Sequence, residues 1–406
     1  MQLIDGFRSQ RKRLLQPYQI SRKTIRERKV YAEYLEDYKM RIGVMLRSLD
    51  ESYGIGMYTR YILKGLLEID DRNEYLLMYR SPEHIGTYAH HTNVQEMVVN
   101  SPHKIMWDQA AVPWHAKREN IDLLFHTKFT VPLLSPCKTV MVLHGSEWFI
   151  YPQNYPWSDI QYVKLMMPLY LKRANLVISV SNRAKEDIIT HIGVDPRKIK
   201  TVYLAPAEHF KLIKEVNYLN TIRLKYNLPE RYFLFVGKIY PGKNVGNLLR
   251  AYAQIQDKVP HKLVICGDVY WKYDQDVRLI EELGLQEDVL RIGWIQPEEL
   301  PAIYNLAELF VFPSMYESCP APPWEAMACG CPVVTSNTGG TPEVVGDAAL
   351  LVDPQDVNSI ANAMHNVLTD ENLRQHLIKK GSDQVTNYSW KKCAKETVDI
   401  FNKLSS

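Results

Sequence analysis

"LFVFPSMYESCPAPPWEAMACG", residues 309–330, joins three kinds of local structure in one short segment. Leu309–Phe312 is a continuous apolar run of strand length, the pattern of a strand covered on both faces. It feeds a loop in which Pro320, Pro322 and Pro323 fix φ and withdraw backbone donors, so the loop is held in shape more than it is hydrogen-bonded. "WEAMACG" (324–330) then reads as a short helix closed by Gly330, with Glu325 in its first turn. A strand, a rigid loop and a helix N-terminus in that order form the usual place to hold an anionic ligand. Two carboxylates, Glu317 and Glu325, bracket the prolines. They are either ligand-gripping groups or, respectively, a solvated loop residue and a carboxylate offsetting the helix dipole; the residues alone leave both readings open.

Outward from this segment the same alternation recurs. "YFLFVGK" (232–238), "KLVICGD" (262–268), "VLRIGW" (289–294), "PVVTSN" (332–337) and "ALLVDP" (349–354) are strand-like runs separated by helical stretches. An earlier series begins at Arg41 with "RIGVMLR" (41–47), "EYLLMYR" (74–80), "IDLLFHT" (121–127), "KTVMVLH" (138–144), "NLVISVS" (175–181) and "KIKTVYL" (198–204). Amphipathic stretches such as "GMYTRYILKGLLEI" and "NRAKEDIITHI" lie between these runs. The fold class is therefore α/β, with two doubly wound parallel sheets in tandem and a polar, irregular stretch at 205–220 between them. Ligands of open parallel sheets bind beyond the carboxyl ends of the strands, so the expected site is the cleft where two such sheets face each other. The expected division is a basic leader at 1–40, an amino-terminal domain at 41–207, a second domain at 208–385, and a final helix at 386–406 crossing back to the first domain.

Bulk properties narrow the function classes. A chain of 406 residues, 46% apolar and 23% charged, is that of a soluble two-domain protein, and a net charge of +3 does not argue for nucleic acid. No apolar run reaches the length of a spanning helix, and the N-terminus lacks a signal-peptide core. Six scattered cysteines without a C-x-x-C pair fit reduced thiols in a cytoplasmic protein, and the Cys329/Cys331 pair lacks a second ligand cluster, so no metal is expected. Charge is nonetheless uneven: between Arg8 and Lys29 there are nine Lys/Arg against one acid, Glu27. Residues 8–29 are either a solvated leader or a peripheral membrane or partner contact, and the composition fits each.

The residues following the strands carry the chemistry. After the first strand, Gly54 and Gly56 open a helix; the third position of a G-x-G-x-x-G would be Thr59, and the second strand ends at Tyr79-Arg80 rather than an acid, which argues against a dinucleotide oxidoreductase. His144 ends "KTVMVLH" and is either a satisfied structural histidine or a group at the cleft mouth. In "FVGKIYPGKNVGNLLRAYA", Gly237 and Lys238 end a strand and Lys243 follows beside a helix start. Two ammonium groups at a helix N-terminus form a diphosphate site.

Taken together, "VGKIYPGKN", "ELPAIYNLAELFVFPSMYES", the E-x7-E pair, "EAMACGCPVVTSNTGGTPEVVGDAALLVDP" and "GIGMYTR" resemble the large family-four group of retaining glycosyltransferases of the GT-B architecture. The likeness runs from about Arg41 to the last helix and is most specific over 300–354. The resemblance implies transfer of a sugar from a nucleoside-diphosphate-sugar donor to a hydroxyl acceptor with retained configuration, needing neither metal nor cofactor. It implies Glu325 on the ribose hydroxyls, Glu317 facing the donor sugar, Lys243 and Lys238 on the diphosphate, Gly54, Gly56 and Gly237 beside it, backbone around Ile295 at the base, and His144 near sugar and acceptor. Two departures stand out. Gly145 occupies the place where the family usually has Asp after the histidine, and relatives commonly carry glycines where this chain has Ser318 to Pro323, which leaves the amides of Ser318, Cys319 and Ala321 to meet phosphate. Three rivals share parts of the pattern: a nucleotide-sugar 2-epimerase, which would add acid/base carboxylates in the amino-terminal half; a pyridoxal-dependent phosphorylase; and a non-catalytic sugar-nucleotide-binding scaffold.

Overall fold

The computed structural model describes residues 39–51, 54–269 and 274–405. The basic segment at 8–29 lies outside them. The first sheet contains seven parallel strands in the order β3-β2-β1-β4-β5-β6-β7. These are β1 (Arg41–Met45), β2 (Glu74–Tyr79), β3 (Val94–Val98), β4 (Leu123–His126), β5 (Lys138–Leu143), β6 (Leu176–Ser179) and β7 (Ile199–Thr201). The second sheet contains six in the order β10-β9-β8-β11-β12-β13: β8 (Tyr232–Val236), β9 (Lys262–Cys266), β10 (Val289–Gly293), β11 (Leu309–Phe312), β12 (Val333–Ser336) and β13 (Leu350–Val352). Both are doubly wound, with the first strand central and the order reversing beside it, so the Rossmann-like GT-B architecture is present. Every strand found in the sequence has its counterpart. β3 is the addition: "VQEMV" is a polar edge strand, half exposed along its length, and has no apolar run to betray it.

The strands are buried because both sheet faces are covered. In the first domain Val44, Leu77, Phe125, Val142 and Ile178 pack to one side. Met45, Leu76, Leu124, Met141 and Val177, one residue out of phase, pack to the other. Helix α1 (Ile55–Ile69) covers the former side, burying Tyr58, Ile62, Leu63, Leu66 and Leu67 at helical spacing. Helix α2 (Trp157–Arg173) covers the latter through Ile160, Val163, Met167, Tyr170 and Leu171. In the second domain, α3 (Val245–Ala253) follows β8 and α4 (Ala321–Ala328) follows β11.

The last helix, α5 (Trp390–Ser405), packs on α1 of the first domain. A methyl at Gly65 would already stand 3.0 Å from the Ala394 side chain, so the two helices cross closely. Cys393, Ala394, Ile400 and Phe401 are built into the core of the first domain, and Phe401 lies edge-on to Phe125 at 5.1 Å.

Candidate active site

The loops at the carboxyl ends of the two sheets meet. Those after β5 (144–155) and β6 come from the first domain, and those after β8, β11 and β12 from the second. Ser181 Oγ donates to the Ser318 carbonyl at 2.5 Å. The Glu343 carboxylate accepts from the Asn182 and Arg183 amides at 2.9 and 3.0 Å, capping a helix of the opposite domain, and Tyr203 bonds it as well. Tyr316 bonds Asp187, and Asn154 lies against Gly242 of the opposite domain, its Nδ2 3.3 Å from where a Cβ at that glycine would stand.

The segment 309–330 differs in one respect from its sequence reading. The helix starts at Ala321, three residues before Trp324, with Pro320 as its N-cap and Pro322 and Pro323 in the first turn. First-turn amides have no intrahelical acceptor, so prolines cost nothing there. Glu325 therefore sits in the second turn, and dipole compensation in the first turn does not account for it. Its Oε2 accepts from the buried Tyr304 hydroxyl at 3.0 Å, and burial pushes its carboxyl up to about 7.

Glu317 is placed differently. Its Oε1 accepts from Lys243 Nζ and from Ser314 Oγ, both at 2.5 Å, and the Lys243 and Glu317 side chains are only 15% and 16% exposed. Lys243 Nζ also lies 4.9 Å from the centre of the Phe312 ring. The backbone of this turn is clamped from the loop after β12: the Gly340 amide donates to the Glu317 carbonyl at 2.7 Å, and a Cβ at Gly340 would fall 2.1 Å from the Ser318 carbonyl oxygen. Only glycine permits that approach.

The remaining expected residues are dispersed around this centre. Lys238 is exposed after β8. The Gly237 amide donates to the Cys266 carbonyl at 2.9 Å, and a Cβ at Gly237 would stand 3.8 Å from Lys243 Cε. Ile295 is buried just beyond β10. Gly54 precedes α1 with open space about it, whereas Gly56 faces its own loop: a Cβ there would meet the Glu51 carbonyl at 1.8 Å. Thr59, in the third glycine position, is buried and joins Thr127 and the Ile55 carbonyl, both at 2.7 Å. Cys319 is wedged between the two cores, and burial drives its thiol far up. Ala321 opens α4.

His144 is half-buried edge-on to Tyr58 at 4.8 Å and donates from Nε2 to the Thr127 carbonyl at 2.9 Å. Burial lowers its pKa to about 4, so the ring is neutral near pH 7 with Nδ1 left as an acceptor.

Glu147 was not legible as a site residue. Ser318 Oγ donates to its Oε1 at 2.8 Å, bridging the domains. Burial pushes its carboxyl up to about 7, with nearby Glu317 adding to the shift and the Ser318 hydrogen bond and Lys243 opposing it. A Cβ at Gly145 would lie 2.5 and 2.7 Å from the Glu147 carboxylate oxygens and 2.1 Å from Ser318 Oγ. The Glu147 carboxylate thus fills the space that a side chain at 145 would need. The signal available was the first of the two departures, a missing Asp at 145, together with a carboxylate two residues on.

Comparison with known proteins agrees with this arrangement. Residues 220–384 match the family described as Glycosyl transferases group 1, and residues 54–205 that described as Glycosyltransferase Family 4. The chain is 31% identical over 294 residues to O-antigen chain mannosyltransferase B of Escherichia coli, covering 71% of this chain and 76% of that protein. It is 30% identical over 278 residues to the serotype-specific mannosyltransferase WbdA of the same species, of which it spans about a third (34%). Among solved structures, Anabaena HepE in complex with UDP and glucose superimposes with a TM-score of 0.69 at 18% identity, covering 90% of this chain and all of that one (100%). Two parallel sheets meeting at their carboxyl edges, and a relative matched at that identity and coverage, make the chain a member of the group 1 glycosyltransferases of GT-B fold.

Proposed function

We propose that this glycosyltransferase moves a hexosyl unit, mannosyl by its relatives' names, from a nucleoside-diphosphate sugar to a hydroxyl of a glycan or lipid-linked acceptor. In this reading configuration is retained, and the reaction uses no resident metal or cofactor. The observation that carries it is the pair of carboxylates at the two ends of one clamped loop, Glu317 beside a desolvated ammonium and Glu325 beside a buried phenol. The bond from C1 to the β-phosphate oxygen breaks as the acceptor oxygen bonds C1 on the same face. The acceptor proton passes to the departing phosphate. Charge grows on that phosphate, where Lys243 and Lys238 stabilise it. Glu325 holds the ribose hydroxyls, Glu317 and neutral His144 the donor sugar, and Glu147 the sugar or acceptor hydroxyls in place of the absent Asp. The complex of HepE with UDP and glucose supports a sugar-nucleotide ligand for this fold. The enzyme works in the cytoplasm, at a membrane surface when its acceptor is lipid-linked. Neither a 2-epimerase nor a scaffold is favoured by the relatives matched.

The test is thermal shift with UDP-, GDP- and ADP-sugars followed by turnover with the one that binds. A donor at 100 times its Kd adds about 2.7 kcal/mol of stability. Transfer of its sugar to added acceptor, with one nucleoside diphosphate released per product, is the expected result. Release without acceptor consumption would favour the epimerase, and no shift with any donor would remove the proposal.

A further inference from the structure

The helix Asn182–Ile192 of the first domain is held by the second domain at three points, and two of them involve the residues on either side of Glu317. Tyr316 bonds Asp187 in the middle of the helix, where Arg183 Nε, one turn back, donates to the same carboxylate oxygen at 3.1 Å. Ser181, the N-cap, accepts from the Ala184 amide at 3.0 Å and donates its own proton to the Ser318 carbonyl. The third point is Glu343, whose two carboxylate oxygens take the Asn182 and Arg183 amides one each. First-turn amides have no intrahelical acceptor, and a carboxylate beside them also answers the positive end of the helix dipole.

Glu343 is tied to Glu317 through its own loop. Thr338 Oγ1 donates to the Met315 carbonyl at 2.9 Å, and the Gly340 amide holds the Glu317 carbonyl. A Cβ at Gly339, where φ is +60°, would stand 2.4 Å from that same carbonyl oxygen. The loop 338–343 thus lies in direct backbone contact with the turn 314–318. A shift of the first domain's helix reaches Glu317 through both its neighbours and through the loop that ends at Glu343.

We propose that Glu343 is a positioning residue: its carboxylate clasps the helix Asn182–Ile192 and so sets the register in which Glu317 meets the donor sugar. The inference rests on the role given to Glu317 in the function proposed above. Lys243, Lys238 and Glu325, the groups proposed to grip the nucleotide, all belong to the second domain, so nucleotide binding does not need the clasp. Transfer does. With the clasp made, Ser318 meets Glu147 across the cleft. Without it the cleft admits water, which takes the acceptor's place at C1 and yields free sugar and nucleoside diphosphate.

Glu343→Ala is the test. Small-angle scattering of the free variant should give a larger radius of gyration than the parent's. Transfer from the sugar nucleotide that the parent uses should fall about ten- to a hundredfold, as expected for lost charge-assisted hydrogen bonds. Affinity for the corresponding nucleoside diphosphate should stay within about twofold, since its grip lies on one domain. The share of donor lost to hydrolysis should rise severalfold. That share is a ratio within each active molecule, so a mere loss of folded protein leaves it unmoved. Asn182→Pro asks the same of the partner. Asn182 opens its helix, where proline is tolerated, and Ser181 before it is already extended at φ −156° and ψ 164°. The change deletes one amide donor, and Asn182→Ala, which keeps that amide, gives the baseline for the lost side chain. Relative to that baseline Asn182→Pro should repeat the Glu343→Ala defects in weaker form, and add nothing in the Glu343→Ala background. Parent-like scattering and hydrolysis share in Glu343→Ala, or additive losses in the double variant, would overturn the proposal. Scattering needs no donor, so the clasp can fail while the transferase reading stands. A parent that turns over no sugar nucleotide would instead remove that reading, and the role of Glu317 with it.

Discussion

The two ends of the loop after β11 hold the same side chain in opposite states. Glu317 sits against Lys243 and Ser314 and is clamped through its carbonyl, so its charge is answered within the protein. Glu325 has a phenol for company and a pKa pushed up to about 7 by burial. In the function proposed above, a diphosphate would compete with the first carboxylate for its cation, and hydroxyl donors would satisfy the second. A rigid loop keeps these two demands apart, and the prolines supply the rigidity at the point where a helix start has no use for amides.

The largest effect that could break this contrast is Lys243→Ala. If Lys243 faces the developing phosphate charge as proposed, its loss should reduce turnover about a hundred- to a thousandfold while affinity for the free nucleoside changes little. Parallel loss of nucleoside binding and turnover, from steady-state kinetics and calorimetry, would mean that Lys243 serves only to hold Glu317. Next comes Glu147→Gln, with a fall in turnover of about a hundredfold if its carboxylate positions a reacting hydroxyl. Gly145→Asp alone should be inactive, because its side chain collides with Glu147 and Ser318. Placed in a Glu147→Ala background it should recover part of the activity, and a double variant no better than either single change would sink the relocated-carboxylate reading.

The smallest effect sharpens the other end. Glu325→Gln should weaken donor binding about ten- to a hundredfold by removing a charge-assisted bond. Its stability signature has a definite sign. Burial raises the folded carboxyl from the ordinary 4.5 to about 7, so the stability carried by the protonated form is complete below the ordinary value and lost as pH rises through about 7. Melting curves between pH 4 and 8 should therefore flatten in the Gln variant, and an unchanged slope would assign that pH dependence to Glu147 instead.

Sequence patterning carried most of this architecture, because strands buried on both faces must be apolar throughout and helices between them must alternate. It failed where those pressures were relaxed: β3, at a polar sheet edge, and the start of α4, where prolines look like loop but fit a first turn. The site divides in the same way. Lys243 and Glu317 lie 74 positions apart, yet each follows a strand end, and that position singles both out. Glu147 gives no such signal, since a carboxylate on a four-residue helix looks solvated until the opposite domain's Ser318 closes over it. Gly56 shows the converse: its place in the first loop suggests ligand approach, whereas its lack of a side chain accommodates its own loop's carbonyl.

The seating of α5 in the first domain reaches back to the ribosome. Phe401, fully buried against Phe125, belongs to the core of a domain whose strands are all synthesised some two hundred residues earlier. The second domain's core is completed by α4 and the helix at Glu371–Val385, both of which precede α5 in the chain. Completion of the first domain's core therefore depends on residues synthesised after those of the second domain. Without α5, the side chains of α1 and the sheet that it covers would be left as an apolar groove, so the first domain alone should be a poor folding unit.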